Sequence, residues 1–69
     1  MRIDEIRALD DAEVSEQLNE QEHGLMNLRF REATLQLKDT SEITKTRRTI
    51  ARIKTTIRER KILKELANS

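Results

Sequence analysis

The run Lys38-Asp39-Thr40-Ser41-Glu42 decides how this chain folds, because it is the polar break between two long amphipathic stretches. On its N-terminal side Val14, Leu18, Leu25, Leu28 and Leu35 recur in alternating three- and four-residue steps, with Gln21 and Glu32 filling the missing slots. Met26, Phe30, Ala33 and Leu37 form a second row beside the first, so the apolar stripe widens toward the break. On its C-terminal side the stretch from Ile43 carries Ile50, Ile53 and Ile57 on one face, then Ile62, Leu63 and Leu66 near its end. Apolar residues at this spacing form one stripe of an α-helix. Two such helices joined by a short polar connection fold back as an antiparallel hairpin. The expected fold is therefore all-α: a two-helix antiparallel hairpin, with a first helix at about 10–38, a second at about 41–66, and one short helical turn in residues 2–8, where Ile3 and Ile6 stand three apart.

The composition agrees. Sixty-nine residues make a single small domain, residues 1–69, with little surface to bury in a core. The chain has one glycine, no proline and one aromatic residue, Phe30, which leaves few places for tight β-turns. The absence of cysteine excludes disulfides and thiolate metal sites. No stretch approaches about 18 consecutive apolar residues, and the N-terminus lacks an apolar signal region, so the expected protein is soluble and intracellular.

The first helix has a readable start. Asp10 as N-cap with Glu13 three residues on makes a capping box, and Leu9 against Val14 makes a hydrophobic staple. The acidic cluster around Asp11 and Glu13 is read as capping and dipole compensation rather than as a cation site. The second helix has three candidate caps in the break itself, Asp39, Thr40 and Ser41. Placing the reversal near Thr40 sets Phe30 near Ile50, Met26 near Ile53, Leu18 near Ile62 and Val14 near Leu66, with apolar meeting apolar throughout and Phe30 and Met26 in the core. Gly24 falls mid-helix, where it costs about 1 kcal/mol relative to alanine; either a close approach of the second helix near Thr56 explains it, or it is a tolerated defect.

Charge separates sharply along the chain. Residues 1–28 hold 2 basic and 8 acidic residues, and residues 29–69 hold 12 and 5. Between Ile43 and Lys64 the only acid is Glu59, and Arg48/Arg52, Lys54/Arg58 and Arg60/Lys64 are like-charge pairs at i,i+4 that weaken an isolated helix. In the register above, Arg58, Arg60 and Lys64 face Glu22, Glu20 and Glu16, whereas Lys45, Arg47, Arg48, Arg52 and Lys54 face residues 26–35, where Glu32 stands among Arg29 and Arg31. The half of the hairpin near the reversal thus carries an uncompensated basic surface, which suits a polyanion. Arginine dominates it, as phosphate contacts and recognition of folded RNA by shape require. With Phe30 read as core, no stacking platform for bases is expected. The candidate RNA-binding residues are Arg29, Arg31, Lys45, Arg47, Arg48, Arg52 and Lys54.

Catalytic chemistry has no foothold. His23 is the sole histidine and is read as a surface residue; there is no Ser–His–acid set, no phosphate-cradling glycine loop and no His/Cys cluster. No cofactor and no small-molecule substrate is implied.

Two segments carry a family resemblance. Asn27-Leu28-Arg29-Phe30-Arg31, followed by Ala33-Thr34 and Gln36-Leu37, resembles the middle of the large-ribosomal-subunit protein family numbered twenty-nine. The segment Arg47-Arg48-Thr49-Ile50-Ala51-Arg52-Ile53-Lys54-Thr55 resembles its second-helix signature, at matching spacing. The similarity is strong over residues 25–60, and Glu5-Ile6-Arg7 fits more loosely. The resemblance implies a helical hairpin bound to large-subunit ribosomal RNA on the outer surface near the mouth of the nascent-chain exit tunnel. It also implies a neighbouring large-subunit protein at that rim, with nascent-chain chaperones and targeting particles docking beside it, on a cytoplasmic or organellar ribosome. Arg29 belongs to the first motif, and Arg47, Arg48 and Arg52 to the second. In one departure, Leu35 stands where the family usually has glycine. A reading of a different class is a helical module that homodimerises through its apolar stripe and binds a protein partner. Such a module should flank the stripe with opposite charges on each helix, which the second helix lacks.

Overall fold

A computed structural model describes residues 1–68. It contains three helices and, among the described residues, no strand: α1 Ile3–Arg7, α2 Asp11–Ala33 and α3 Ser41–Ala67. The two long helices pack against each other as the arms of a hairpin, and α1 lies against α3. The molecule measures 51 × 18 × 15 Å, and its radius of gyration is 14.6 Å, against about 11 Å for a compact chain of this length. No helix among the described residues is long and apolar enough to cross a membrane.

The start of α2 is built as its sequence requires. Glu13 N–H donates to Asp10 Oδ1 at 2.8 Å and Asp10 N–H donates to Glu13 Oε1 at 3.3 Å, closing the capping box. Leu9 packs against the cluster that includes Val14. Its end comes earlier than the stripe suggests. α2 stops at Ala33 rather than near residue 38, and Leu35 takes a left-handed conformation at φ 60°. Gln36 N–H then donates to Arg31 C=O at 2.8 Å and Leu35 N–H to Glu32 C=O at 3.1 Å. This pair of bonds is the Schellman termination, which satisfies the last carbonyls of a helix and ordinarily uses glycine at the left-handed position. The glycine expected at position 35 from the resemblance therefore has a conformational reason, and leucine there carries a steric cost of about 1–2 kcal/mol.

The early stop moves the register. Seven residues, 34–40, reverse the chain, and the cross-helix ion pairs are Arg60 with Asp11 at 2.9 Å and Lys54 with Glu22 at 3.7 Å. Each α3 residue thus sits several positions nearer the N-terminus of α2 than a reversal at Thr40 sets it. Val14 and Leu18 pack with Ile53 and Ile57, not with Leu66 and Ile62. The last turns of α3 overshoot, leaving Ile62, Leu63 and Leu66 exposed. The pairings of Phe30 with Ile50 and Met26 with Ile53 also fail as core contacts: Met26 is 67% and Phe30 68% exposed.

The short N-terminal helix fills the space the expected register gave to the tail. Ile6 is fully buried with Val14 and Ile53, and Met1, Leu9, Leu18 and Ile57 close around them. Two α3 threonines sit at the same interface, Thr49 and Thr56, each donating its hydroxyl to the carbonyl four residues earlier, Lys45 at 3.1 Å and Arg52 at 3.0 Å. That back-bonding removes the penalty of burying a hydroxyl. A Cβ at Gly24 would meet no atom within 4 Å, so close helix approach is not its reason.

Candidate nucleic-acid interface

Three environments divide the cations of α3. On the flank toward α1, Arg60 donates to Asp11 Oδ1 at 2.9 Å, to Leu9 C=O at 2.6 Å and to Arg7 C=O at 3.2 Å. It satisfies carbonyls that the end of α1 would leave open. Higher on this flank Arg52 donates to Met1 C=O at 3.1 Å, and the Met1 ammonium donates to Thr49 Oγ1 at 3.3 Å. Arg7 of α1 approaches Glu59 at 3.9 Å, giving that acid the partner its own helix lacks. On the flank toward α2, Lys54 pairs with Glu22. This pair corrects the expectation that Lys54 faces a stretch whose only acid is Glu32.

The third environment is the ridge of α3 turned away from both neighbours. Thr44, Arg48, Ala51, Thr55 and Arg58 follow one another at helical spacing opposite the buried Thr49, Ile50, Ile53 and Thr56, with Arg47 beside them. Thr44, Arg47, Arg48 and Ala51 line a shallow depression on this ridge. Small side chains flanked by guanidinium groups let an extended anion lie close to the helix while the arginines reach its charges. Among the described residues, Arg47, Arg48 and Arg58 have no ion pair.

The seven expected residues therefore do not form one patch. Arg47 and Arg48 stand on the ridge, and Lys45 and Arg52 on the α1 side of α3. Lys54 stands on the α2 side; Arg29 and Arg31 occupy the two flanks of α2, both exposed. Each like-charge pair also has one anchored member: Arg52, Lys54 and Arg60 have partners within the chain. The second members are Arg48, Arg58 and Lys64, and the predicted cross-helix pairs of Arg58 and Lys64 with Glu22 and Glu16 do not form among the described residues. Arg58 was missed for the candidate surface because the expected register set it against Glu22, which pairs with Lys54 instead. Phe30, expected in the core, lies on the side of α2 away from the row Val14–Leu18–Leu25–Leu28, as its helical spacing from that row requires, and is exposed.

At the reversal, Asp39 supplies the cap that the sequence left open among three residues. Thr40 is already in helical conformation, at φ −75° and ψ −9°, and makes no side-chain cap. The Asp39 carboxylate instead accepts from Ser41 N–H at 2.9 Å. Bonds from Ser41, side chain first and backbone second, hold the Asp39 carboxyl below its ordinary value, with a smaller contribution from the charge of Lys45. His23 is exposed, and no group of three or more metal-ligating side chains is found among the described residues.

Fold and surface together define a small α-helical protein with a cationic ridge on its longer arm. The sequence pattern of the family described as Ribosomal L29 protein matches residues 4–60. The chain is 47% identical over 68 residues to Large ribosomal subunit protein uL29 of Staphylococcus aureus strain JH9, covering 99% of each chain. It is equally similar to the protein of that name from Staphylococcus carnosus strain TM300, over the same length and coverage. This chain belongs to the ribosomal L29 protein family, and it is a structural ribosomal protein of the large subunit, not an enzyme. The match reaches further toward the N-terminus than residues 25–60, taking in the α1 that builds the core.

Proposed function

We propose that the α3 ridge of Arg47, Arg48 and Arg58, joined by Arg29, Arg31, Lys45 and the exposed sides of Arg52 and Lys54, binds large-subunit ribosomal RNA. In this reading the hairpin lies near the mouth of the nascent-chain exit tunnel of a cytoplasmic bacterial ribosome. A neighbouring large-subunit protein shares that rim, and nascent-chain chaperones or targeting particles dock beside it. The observation that carries the reading is the ridge itself: guanidinium groups around Ala51 and Thr55 without acid partners among the described residues, while the ion pairs gather elsewhere. Similarity to proteins named for the large ribosomal subunit supports the choice of polyanion. Such contacts are phosphate contacts, so they position the protein and read RNA by shape. The acids of early α2, Glu13, Glu16 and Glu20, are exposed at the other end, where they would repel RNA and orient the hairpin.

Binding of the chain to large subunits stripped of their own copy, measured in rising salt, tests this. Affinity should fall steeply with salt, and Arg47→Ala together with Arg48→Ala should flatten the dependence by about 0.7–0.9 in log–log slope for each phosphate no longer neutralised. Salt-independent binding, or an unchanged slope in the double variant, overturns the proposal.

A further inference from the structure

The single aromatic residue of the chain stands in the open. Phe30 lies on the side of α2 opposite the row that packs on α3, and Arg29 and Arg31 stand on the two flanks beside it. Met26, one turn earlier on the same side, is exposed as well. From His23 to Lys38 the only acid is Glu32, against Arg29, Arg31 and Lys38. An exposed ring held on a rigid helix between guanidinium groups joins an apolar stacking surface to cationic arms.

We propose that Phe30 is a stacking platform for an unpaired base of the RNA, with Arg29 and Arg31 contacting the phosphates on either side of that nucleotide. This rests on the reading of the chain as an RNA-binding protein and adds to it a second contact of a different kind on the other helix. The chemistry favours RNA over a protein partner, because a ring between two cations in acid-poor surroundings is complementary to a flat apolar base on a polyanionic strand. Aromatic side chains stack on any base and are used where loops or bulges splay one out. The ring supplies affinity through contact with a base face, and so its contribution is insensitive to salt, unlike that of the α3 ridge. Nothing in the fold requires the ring, since it lies outside the Ile6–Val14–Ile53 cluster.

The test uses the full chain and large subunits stripped of their own copy, with Phe30→Leu and Phe30→Trp as paired variants. Phe30→Leu keeps an apolar side chain but removes the π-face. It should bind about tenfold or more weakly, with an unchanged salt slope and an unchanged thermal midpoint, and Phe30→Trp should bind as the parent does. Irradiation at short wavelength should crosslink the parent chain to RNA at the peptide holding Phe30. Equal binding by Phe30→Leu, with the Arg47/Arg48 variant still weakened and flattened in slope, overturns the stacking platform and leaves the ridge reading intact. Loss confined to subunits that retain a particular neighbouring protein, with no RNA crosslink, overturns it in favour of a protein contact. Failure of both variant sets to change binding overturns both readings.

Discussion

The two halves of the hairpin are made from the same pair of helices and have opposite characters. In the half that holds α1, Ile6, Val14 and Ile53 are buried together, and Arg60 ties α3 to the α1–α2 connection by three hydrogen bonds. In the half that holds the reversal, Met26, Phe30 and Leu35 are exposed, and Arg47 and Arg48 have no ion pair among the described residues. A hairpin of two helices buries each stripe on one side only. Here the third element, five residues long, was placed over one end. The lesson is a division of labour along a slender molecule. The half with α1 holds the buried cluster, even though the last turns of α3 leave Ile62, Leu63 and Leu66 exposed there. The reversal half holds no such cluster among the described residues and leaves Phe30 and the ridge arginines for an outside surface.

The largest test of that division sets Ile6→Ala against Phe30→Ala. Removing the Ile6 side chain should cost about 2–5 kcal/mol, enough to unfold much of a domain this small. Phe30→Ala should change stability by less than about 0.5 kcal/mol, as exposed positions do. Circular dichroism melts of the free proteins decide it: comparable losses in both variants would mean that the reversal half also holds the fold. The next effect in size separates arginines from arginines. Arg60→Ala should cost about 1–2 kcal/mol, mostly from its bonds to the Leu9 and Arg7 carbonyls, because the Asp11 partner is itself well exposed. Arg48→Ala should be neutral or stabilising by about 0.2–0.5 kcal/mol through relief of its repulsion with Arg52. Urea midpoints that fall equally in both would erase the distinction between clamp and ridge.

Much of this was legible in the residues and some was not, for identifiable reasons. The all-α hairpin, the capping box and the staple are local consequences of spacing and cap chemistry, which a sequence displays directly. The register was not local. It depended on where α2 ends, and the apolar Leu35 and Leu37 continued the stripe past a point where the backbone turns left-handed. From that one misplacement followed the placing of Leu66 opposite Val14. The assignment of Phe30 and Met26 to the core has a separate cause, a second row counted into the stripe although its helical spacing turns it away from Val14, Leu18 and Leu25. The role of α1 was hidden for a different cause: two isoleucines in a five-residue helix give no periodicity from which burial can be read. Among the candidate site residues, those on the α3 ridge were visible as a charge cluster. Which cations are tied inside the chain required the geometry, since Met1 C=O and the Leu9 carbonyl carry no signal in side-chain charge.

Leu35 gives a sharper test at the reversal. Leu35→Gly removes the clash of a side chain in the left-handed region, against glycine's greater freedom in the unfolded chain. The net expectation is a gain of about 0.5–1 kcal/mol, or a rise of a few degrees in the thermal midpoint. The gain should come without change in the buried half, so amide exchange around Ile6 should slow only as far as global stability rises. A loss of stability would mean that the exposed leucine makes contacts that the left-handed turn does not reveal.

The smallest effect concerns pH, and it again belongs to the reversal. Asp39 is fully exposed, and its carboxyl is held below the usual value by Ser41 and then by the charge of Lys45. A carboxyl whose value is lower in the folded than in the unfolded chain contributes stability above the unfolded value of 3.8, and that contribution is lost as pH falls through the lower folded value. The thermal midpoint should therefore drop below about pH 4 through this group among others, and Asp39→Asn should remove its share while keeping a residue that can accept from Ser41 N–H. Titration of the Asp39 side-chain carbon by NMR checks the cause directly. If it titrates at or above the ordinary carboxylate value, the start of α3 is not held by this cap in solution, and the reversal is looser than the bond from Ser41 implies.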